Sequence, residues 1–213
     1  MTKKAGYIRK PRNTFSRKRN RILLVSAEGS NKTERNYFTS LSGLHLSVQF
    51  AGGNDTDPVR LAQHLIEAYQ EYDLSEDDLA VCCIDTDFDP AKNTQIASAE
   101  KMIQKFSENT RLIISCPCFE IWFICHFVFT TRHYKDNSDV IAFLKKYLPE
   151  YTKSGRNFSE ILSGKTRMAV KNAKALEEHC TKQGYHPHTT DFHPSTEAYQ
   201  IIEWILNQSS SEQ

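Results

Sequence analysis

Leu79-Ala80-Val81-Cys82-Cys83-Ile84 runs without a break into Asp85-Thr86-Asp87-Phe88-Asp89-Pro90. Six apolar residues are too few for a helix of ordinary length, and an apolar run that does not alternate reads as a strand buried on both faces. Such strands belong to parallel sheets covered by helices, and their carboxyl ends border the crevice in which ligands bind. If the extended geometry continued past Ile84, Asp85 and Asp87 would point their carboxylates to one side. The plainer alternative is a polar loop that opens a turn before Pro90, or an Asp89 that caps the next helix.

Outward from this stretch, strand and helix alternate. Arg21-Ile22-Leu23-Leu24-Val25-Ser26-Ala27 is a second buried strand, and residues 44–50 alternate as Leu44, Leu46, Val48 and Phe50 before the turn Gly52-Gly53-Asn54-Asp55. Arg111-Leu112-Ile113-Ile114-Ser115 is another strand. A helix follows Glu28-Gly29-Ser30, with Asn31 and Glu34 at capping-box spacing and Tyr37, Phe38 and Leu41 forming its apolar stripe. Pro58 opens a further helix with Leu61, Leu65, Ile66 and Tyr69 on one side, and a third covers residues 94–108. The pattern over residues 22–129 predicts an α/β core: a mostly parallel, Rossmann-like sheet with helices on both faces and right-handed crossovers. Residues 119–129 are apolar nearly all round, and helices follow near 139–148, 166–182 and 195–207. Residues 130–207 are therefore expected to form a C-terminal α-helical cap packed on the core, and residues 208–213 a disordered tail.

Composition narrows the class. The chain has 213 residues, 39% hydrophobic and 25% charged, and nothing approaches the roughly 18 consecutive apolar residues of a membrane span. Met1-Thr2-Lys3-Lys4 is followed by no apolar signal region, so a cytoplasmic location is expected. The six cysteines include no C-x-x-C pair, and buried free thiols are the expectation in a reducing compartment. Charge is uneven. Nine of the 27 basic residues and none of the 26 acidic ones lie in residues 1–21, which leaves the body 18 basic against 26 acidic residues, a formal −8. A flexible basic arm carrying Arg9, Lys10, Arg12, Arg17, Lys18 and Arg19 could neutralise phosphates, with Tyr7 and Phe15 stacking on bases. It could equally be a solubilising tail or fold onto its own acidic body.

Glu28 stands at the end of the first strand as Asp85 and Asp87 do at the third. If those strands are neighbours, three carboxylates converge, and a Mg²⁺ or Mn²⁺ ion with a phosphate substrate is their natural complement. Glu120 and His126 are the strongly polar side chains of the apolar segment 119–129. A buried carboxylate needs a partner, so Glu120 is a candidate near a metal or a cation, or else an edge carboxylate paired to a structural arginine. Six residues apart on a helix, the two would not share a face, which argues against a catalytic dyad. Lys32 and Lys153 are further candidate phosphate contacts, as are Arg167 and Lys171, all equally explicable as surface charge. Ser163-Gly164-Lys165-Thr166 lacks the first glycine and the preceding strand of a P-loop, and His179, Cys180, His186, His188 and His193 fit no standard zinc spacing.

Glu28-Gly29 after a first strand and Asp85-x-Asp87 after a later one resemble the acidic signature of Toprim domains. More narrowly, Ala27-Glu28-Gly29-Ser30-Asn31-Lys32-Thr33-Glu34-Arg35-Asn36-Tyr37-Phe38, Asp85-Thr86-Asp87, Cys116-Pro117-Cys118-Phe119-Glu120-Ile121-Trp122 with His126-Phe127, Tyr151-Thr152-Lys153 and Pro194-Ser195-Thr196 resemble the RloB-like family, associated with bacterial restriction and phage-defence loci. The family pattern has Asn where Cys116 and His193 stand here. The resemblance implies a Toprim-like fold, a divalent metal, and phosphodiester hydrolysis of RNA or DNA in an anti-phage defence system, often beside an ABC- or AAA-type ATPase. Carried over, it makes Glu28 the general acid/base and Asp85 and Asp87 the metal ligands. A non-catalytic nucleic-acid-binding or regulatory subunit, and a primase-like nucleotidyl transferase, are the other readings of the same carboxylates.

Overall fold

The computed structural model describes residues 19–28, 32–155 and 158–210. Five strands form one sheet in the order β2-β1-β3-β4-β5: β1 (Arg21–Ser26), β2 (Leu46–Phe50), β3 (Leu79–Asp85), β4 (Thr110–Cys116) and β5 (Ser195–Thr196). The first four pair in parallel, with Ser26 opposite Cys82 and Asp85 opposite Ser115. The expected α/β sheet is present, mostly parallel.

Helices cover both faces, because the strands bury both sets of alternate residues. Leu24, Ala80, Cys82, Ile84, Leu112 and Ile114 face a layer built by α2 (Pro58–Glu71) and α3 (Lys92–Phe106). Leu23, Val25, Leu79, Val81, Cys83 and Ile113 face the opposite layer, which holds α1 (Lys32–Thr39), α4 (Glu120–Cys125), α7 (Thr166–Lys182) and α8 (Ala198–Ser210). The short helices α5 (Asn137–Leu144) and α6 (Phe158–Ile161) complete the cap. Asp57 accepts from the Arg60 amide at 3.0 Å and Pro58 takes the first helical position of α2, which fixes where that helix begins.

Three expectations are corrected. The helix expected over 119–129 is a six-residue α4, buried at every position. It stops because the Cys125 carbonyl is taken by Asn172 of α7 at 2.8 Å and the backbone tightens at His126. Ser195 does not open the last helix. With Thr196 it forms β5, antiparallel to β4 through Thr196 opposite Ser115 and Ser195 opposite Cys116. Glu197 prolongs this edge, its carboxylate accepting from the Ile114 amide at 2.9 Å and its amide donating to the Ile114 carbonyl at 2.9 Å. Finally, α8 runs to Ser210, beyond residue 207 where the last helix was expected to end. Arg9, Lys10, Arg12, Arg17, Lys18 and the capping residue Asn31 lie outside the described residues.

Candidate functional site: an acidic pocket at the carboxyl ends of β1 and β3

β1 and β3 are adjacent and parallel, so the chain segments that leave them stand side by side. Glu28, two residues past β1, and Asp85, the last residue of β3, are both buried there. The extended geometry does not continue past Asp85. Asp87 and Phe88 both take left-handed backbone conformations (φ 52° and 57°), which L residues adopt at a cost of about 1–3 kcal/mol each. Asp85 and Asp87 therefore diverge instead of sharing one side. Backbone bonds fix this turn to the loop after β4: Thr86 N donates to Ser115 O (3.1 Å), Asp87 N donates to Pro117 O (2.9 Å), and Thr86 Oγ1 donates to Cys116 Sγ (3.0 Å).

Asp87 turns outward to cations and amides. Lys92, in the first turn of α3, bridges the two strand ends: its Nζ lies 3.0 Å from Glu28 Oε1, 2.6 Å from Asp87 Oδ2 and 2.9 Å from the Asp85 carbonyl. Asn137, the first residue of α5, donates to the other Asp87 oxygen at 2.7 Å. Burial alone would lower the Lys92 pKa, but the hydrogen bond to Asp87 and the charge of Glu28 outweigh it and raise it. For Glu28 burial is the larger influence and raises the carboxyl pKa against the pull of Lys92.

Asp85 turns inward. Burial, then the carboxylates of Glu34, Glu120, Asp87 and Glu28, push its pKa well above the ordinary carboxylate range. Glu34 of α1 is 3% exposed. Burial, resisted mainly by its own backbone amide, pushes its pKa up to about 8, and Glu120 and Glu28 add to the rise. Its Oε2 is buried without a hydrogen-bond partner, a state that ordinarily costs about 1–3 kcal/mol and calls for an explanation. Glu120, the first residue of α4, is 2% exposed and accepts from Tyr151 Oη at 2.6 Å, with Lys153 Nζ 4.0 Å away. Burial opposes the charge on Lys153, yet Glu120, Cys118, Asp85 and Glu34 together raise its pKa.

The residues singled out by sequence thus separate into groups. Glu28, Asp85, Asp87 and Glu120 are brought to one pocket, and Lys153 stands at its edge. Lys32 is exposed at the start of α1. Arg19 lies at the opposite end of the sheet, where it meets Asp78, Ser75 Oγ and the Asp73 carbonyl. His126 donates Nδ1–H to the Trp122 carbonyl at 2.9 Å, and burial lowers its pKa to about 4, so it is a neutral core residue. Cys116 joins the Thr86 hydroxyl to the Thr190 carbonyl, and burial pushes its thiol up to about 12, so it serves as an uncharged link between loops. His193 meets His133 at 3.2 Å, lies at a steep angle to the Phe88 ring with centroids 5.3 Å apart, and donates to the Thr190 carbonyl at 3.1 Å. The Ser163–Thr166 stretch is a turn entering α7 after a helix, with no strand before it.

Sequence reasoning missed Lys92, Glu34 and Tyr151. Glu34 had a visible signal: it lies three and four positions before Tyr37 and Phe38, on the apolar stripe of α1. An acid on such a stripe is buried.

The donors here are carboxyl oxygens, the ligand type that hard divalent cations take, and one of them, Glu34 Oε2, has no partner. As they lie, with Lys92 between Glu28 and Asp87, no three His, Cys, Asp or Glu side chains among the described residues are close enough to hold one ion together. No described helix is long and apolar enough to cross a membrane.

A three-layer α/β protein with buried acids at the carboxyl ends of parallel strands is the class that fold and site define. Residues 23–205 match the family model described as RloB-like protein. The chain belongs to the RloB-like family. No curated protein and no solved structure matches it.

Proposed function

We propose that the chain is a divalent-metal-dependent phosphodiesterase acting on RNA or DNA, of Toprim type, working in an anti-phage defence system with an ATPase partner. The observation that carries the chemical part of this reading is the pocket of five carboxyl groups, Glu28, Glu34, Asp85, Asp87 and Glu120, in which Glu34 Oε2 is buried without a partner. Uncompensated acids repel one another and stay only where something offsets them. Asp85, Asp87 and Glu28 would hold Mg²⁺ or Mn²⁺, and the bound ion would neutralise charge on the phosphodiester as it reacts. Lys92, whose ammonium lies between Glu28 and Asp87, would contact the substrate phosphate beside them. Glu28, with its raised pKa, is placed to carry a proton to or from an attacking or leaving oxygen. Tyr151 and Lys153 hold Glu120 in place beside Asp85.

A second reading is favoured by one observation. Lys92 Nζ pairs with both Glu28 and Asp87 and offsets part of their charge, an internal counter-ion that a non-catalytic regulatory subunit could use. Cleavage of a panel of single-stranded and structured RNA and DNA in Mg²⁺ and in Mn²⁺ separates the two. The expected result is cleavage that falls about a thousandfold or more in Asp85→Ala. Metal binding by calorimetry that Asp85→Ala abolishes, with no cleavage of any substrate by either protein, establishes the regulatory reading instead.

A further inference from the structure

Between α4 and α7 the C-terminal cap carries a group of rings and cations that the acidic pocket does not use. Phe127 and Tyr147 stack with centroids 5.7 Å apart and planes 20° from parallel, and Phe143 continues the series 5.7 Å from Tyr147. Tyr147 is 39% exposed, and Phe127 and Phe143 are half-buried. Each outer ring carries a cation on its face: Lys165 Nζ lies 5.1 Å from the Phe127 centroid, Lys146 Nζ 5.2 Å and Arg132 Cζ 5.5 Å from that of Phe143. Neither lysine pairs with a carboxylate among the described residues, whereas Arg132 holds Asp139 at 2.8 Å.

Buried aromatic rings are explained by the core. Phe127 and Phe143 rest on that core, Tyr147 stands out from it, and Lys165 also donates to the Ile161 carbonyl at 3.2 Å; partly exposed rings in series whose outer members carry a cation are what single-stranded nucleic acid requires. The faces of successive bases stack on successive rings, and cations beside the rings meet the phosphates between those bases. A duplex presents its base faces only to one another, so it cannot use the rings. Position supports the assignment. Phe143 lies on α5, six residues and about 9 Å of helix rise from Asn137, and Asn137 donates to Asp87 in the acidic pocket.

We infer that Phe127, Tyr147 and Phe143, with Lys165, Lys146 and Arg132, form a stacking track that binds single-stranded nucleic acid and leads it to the acidic pocket. The assignment of substrate rests on the phosphodiesterase reading; the binding itself does not. In it the ammonium groups of Lys146 and Lys165 swing off the rings to the phosphates as bases take their places.

Fluorescence anisotropy of labelled oligo(U) and oligo(dT) against a duplex of the same length, with the full chain in EDTA, measures binding without cleavage. The single strands are expected to bind more tightly than the duplex. Tyr147→Ala should weaken single-strand binding roughly 5- to 100-fold, while Tyr147→Trp retains it. Lys146→Ala with Lys165→Ala should lower the salt dependence by about one to two counterions. A 5-iodouracil strand should photocrosslink within residues 127–147. Equal binding of duplex and single strand, an unchanged affinity in a Tyr147→Ala protein that melts as the parent does, or crosslinks confined to residues 1–18 would overturn the track. Because no metal is present, such a failure leaves Asp85-dependent cleavage standing, and loss of cleavage with binding intact removes the enzyme but not the track. A track that binds a protein rather than nucleic acid would show itself as no anisotropy change with any strand, which also overturns the inference.

Discussion

The two ends of the sheet each bury acid, and they treat it in opposite ways. At the amino end Asp78 is 2% exposed, and at the carboxyl end Glu34 is 3% and Asp85 7% exposed. Asp78 is saturated with donors: the Ile22 amide at 2.7 Å, the Ser75 amide at 2.8 Å, the Ser75 hydroxyl at 2.9 Å, and the Arg19 guanidinium. It ties the start of β1 to the turn before β3, and every partner it needs is supplied by the fold. Glu34 has one oxygen with no partner at all, and Asp85 is surrounded by other carboxyl groups. Burial alone therefore does not separate an acid that the fold satisfies from one that it leaves short of partners. The supply of donors does.

Substitution is the most direct way to break that contrast. Asp78→Ala takes the acceptor from the part-buried Ile22 and Ser75 amides and is expected to cost about 1–3 kcal/mol of unfolding free energy in a urea titration. Asp85→Asn replaces an acid whose anion is disfavoured by burial and by its neighbours, and should leave metal-free stability unchanged or slightly higher. If both variants lost stability equally, the two ends would not differ in kind.

The pH dependence of stability sharpens the comparison. A carboxyl whose folded pKa is raised from 4.5 to about 8 binds its proton more tightly folded than unfolded. Its contribution to stability is fully present below pH 4.5 and is lost as pH rises through about 8. In EDTA the protein should lose on the order of 3–4 kcal/mol between pH 5 and pH 8 on this account, and Glu34→Gln should flatten that decline. An unchanged slope in Glu34→Gln would mean that Glu34 is not held neutral.

A smaller effect belongs to the sheet's far edge. His188 lies between Glu197 at 3.0 Å and Glu100 at 3.1 Å. Burial works against its charge, but the bond to Glu197 and the charges of both acids lift its pKa from 6.5 to about 9. That stability is present below pH 6.5 and lost as pH rises through about 9, in a window later than that of Glu34. His188→Gln should remove about 1 kcal/mol of the alkaline decline in thermal melts. A decline in His188→Gln identical to that of the parent would show that the imidazolium contributes nothing.

Much of this architecture is legible in the sequence because its signals are local and strong. The apolar runs of β1, β3 and β4 announce buried strands, and strand order alone then gathers Glu28, Asp85 and Asp87 at one end. Glu120 is legible as a carboxylate inside an apolar segment. What escapes depends on chain returning from far away or on single dihedral angles. Lys92 enters the pocket because α3 starts immediately above Asp85, a matter of loop geometry. The left-handed turn at Asp87 and Phe88 has no glycine to advertise it. β5 is two residues long, and its pairing is decided by β4, about 80 positions earlier in the chain.

That short strand also governs when the molecule can finish folding. β4 would otherwise be the open edge of a hydrophobic parallel sheet, a template on which other chains can add. Its cover comes from Ser195 and Thr196, so during synthesis from the amino end the edge stays uncovered until residue 196 has emerged. Contacts closed over so long a loop form late and slowly. A nascent chain that has emerged past residue 116 but not yet to residue 196 would therefore hold a nearly complete but adhesive sheet.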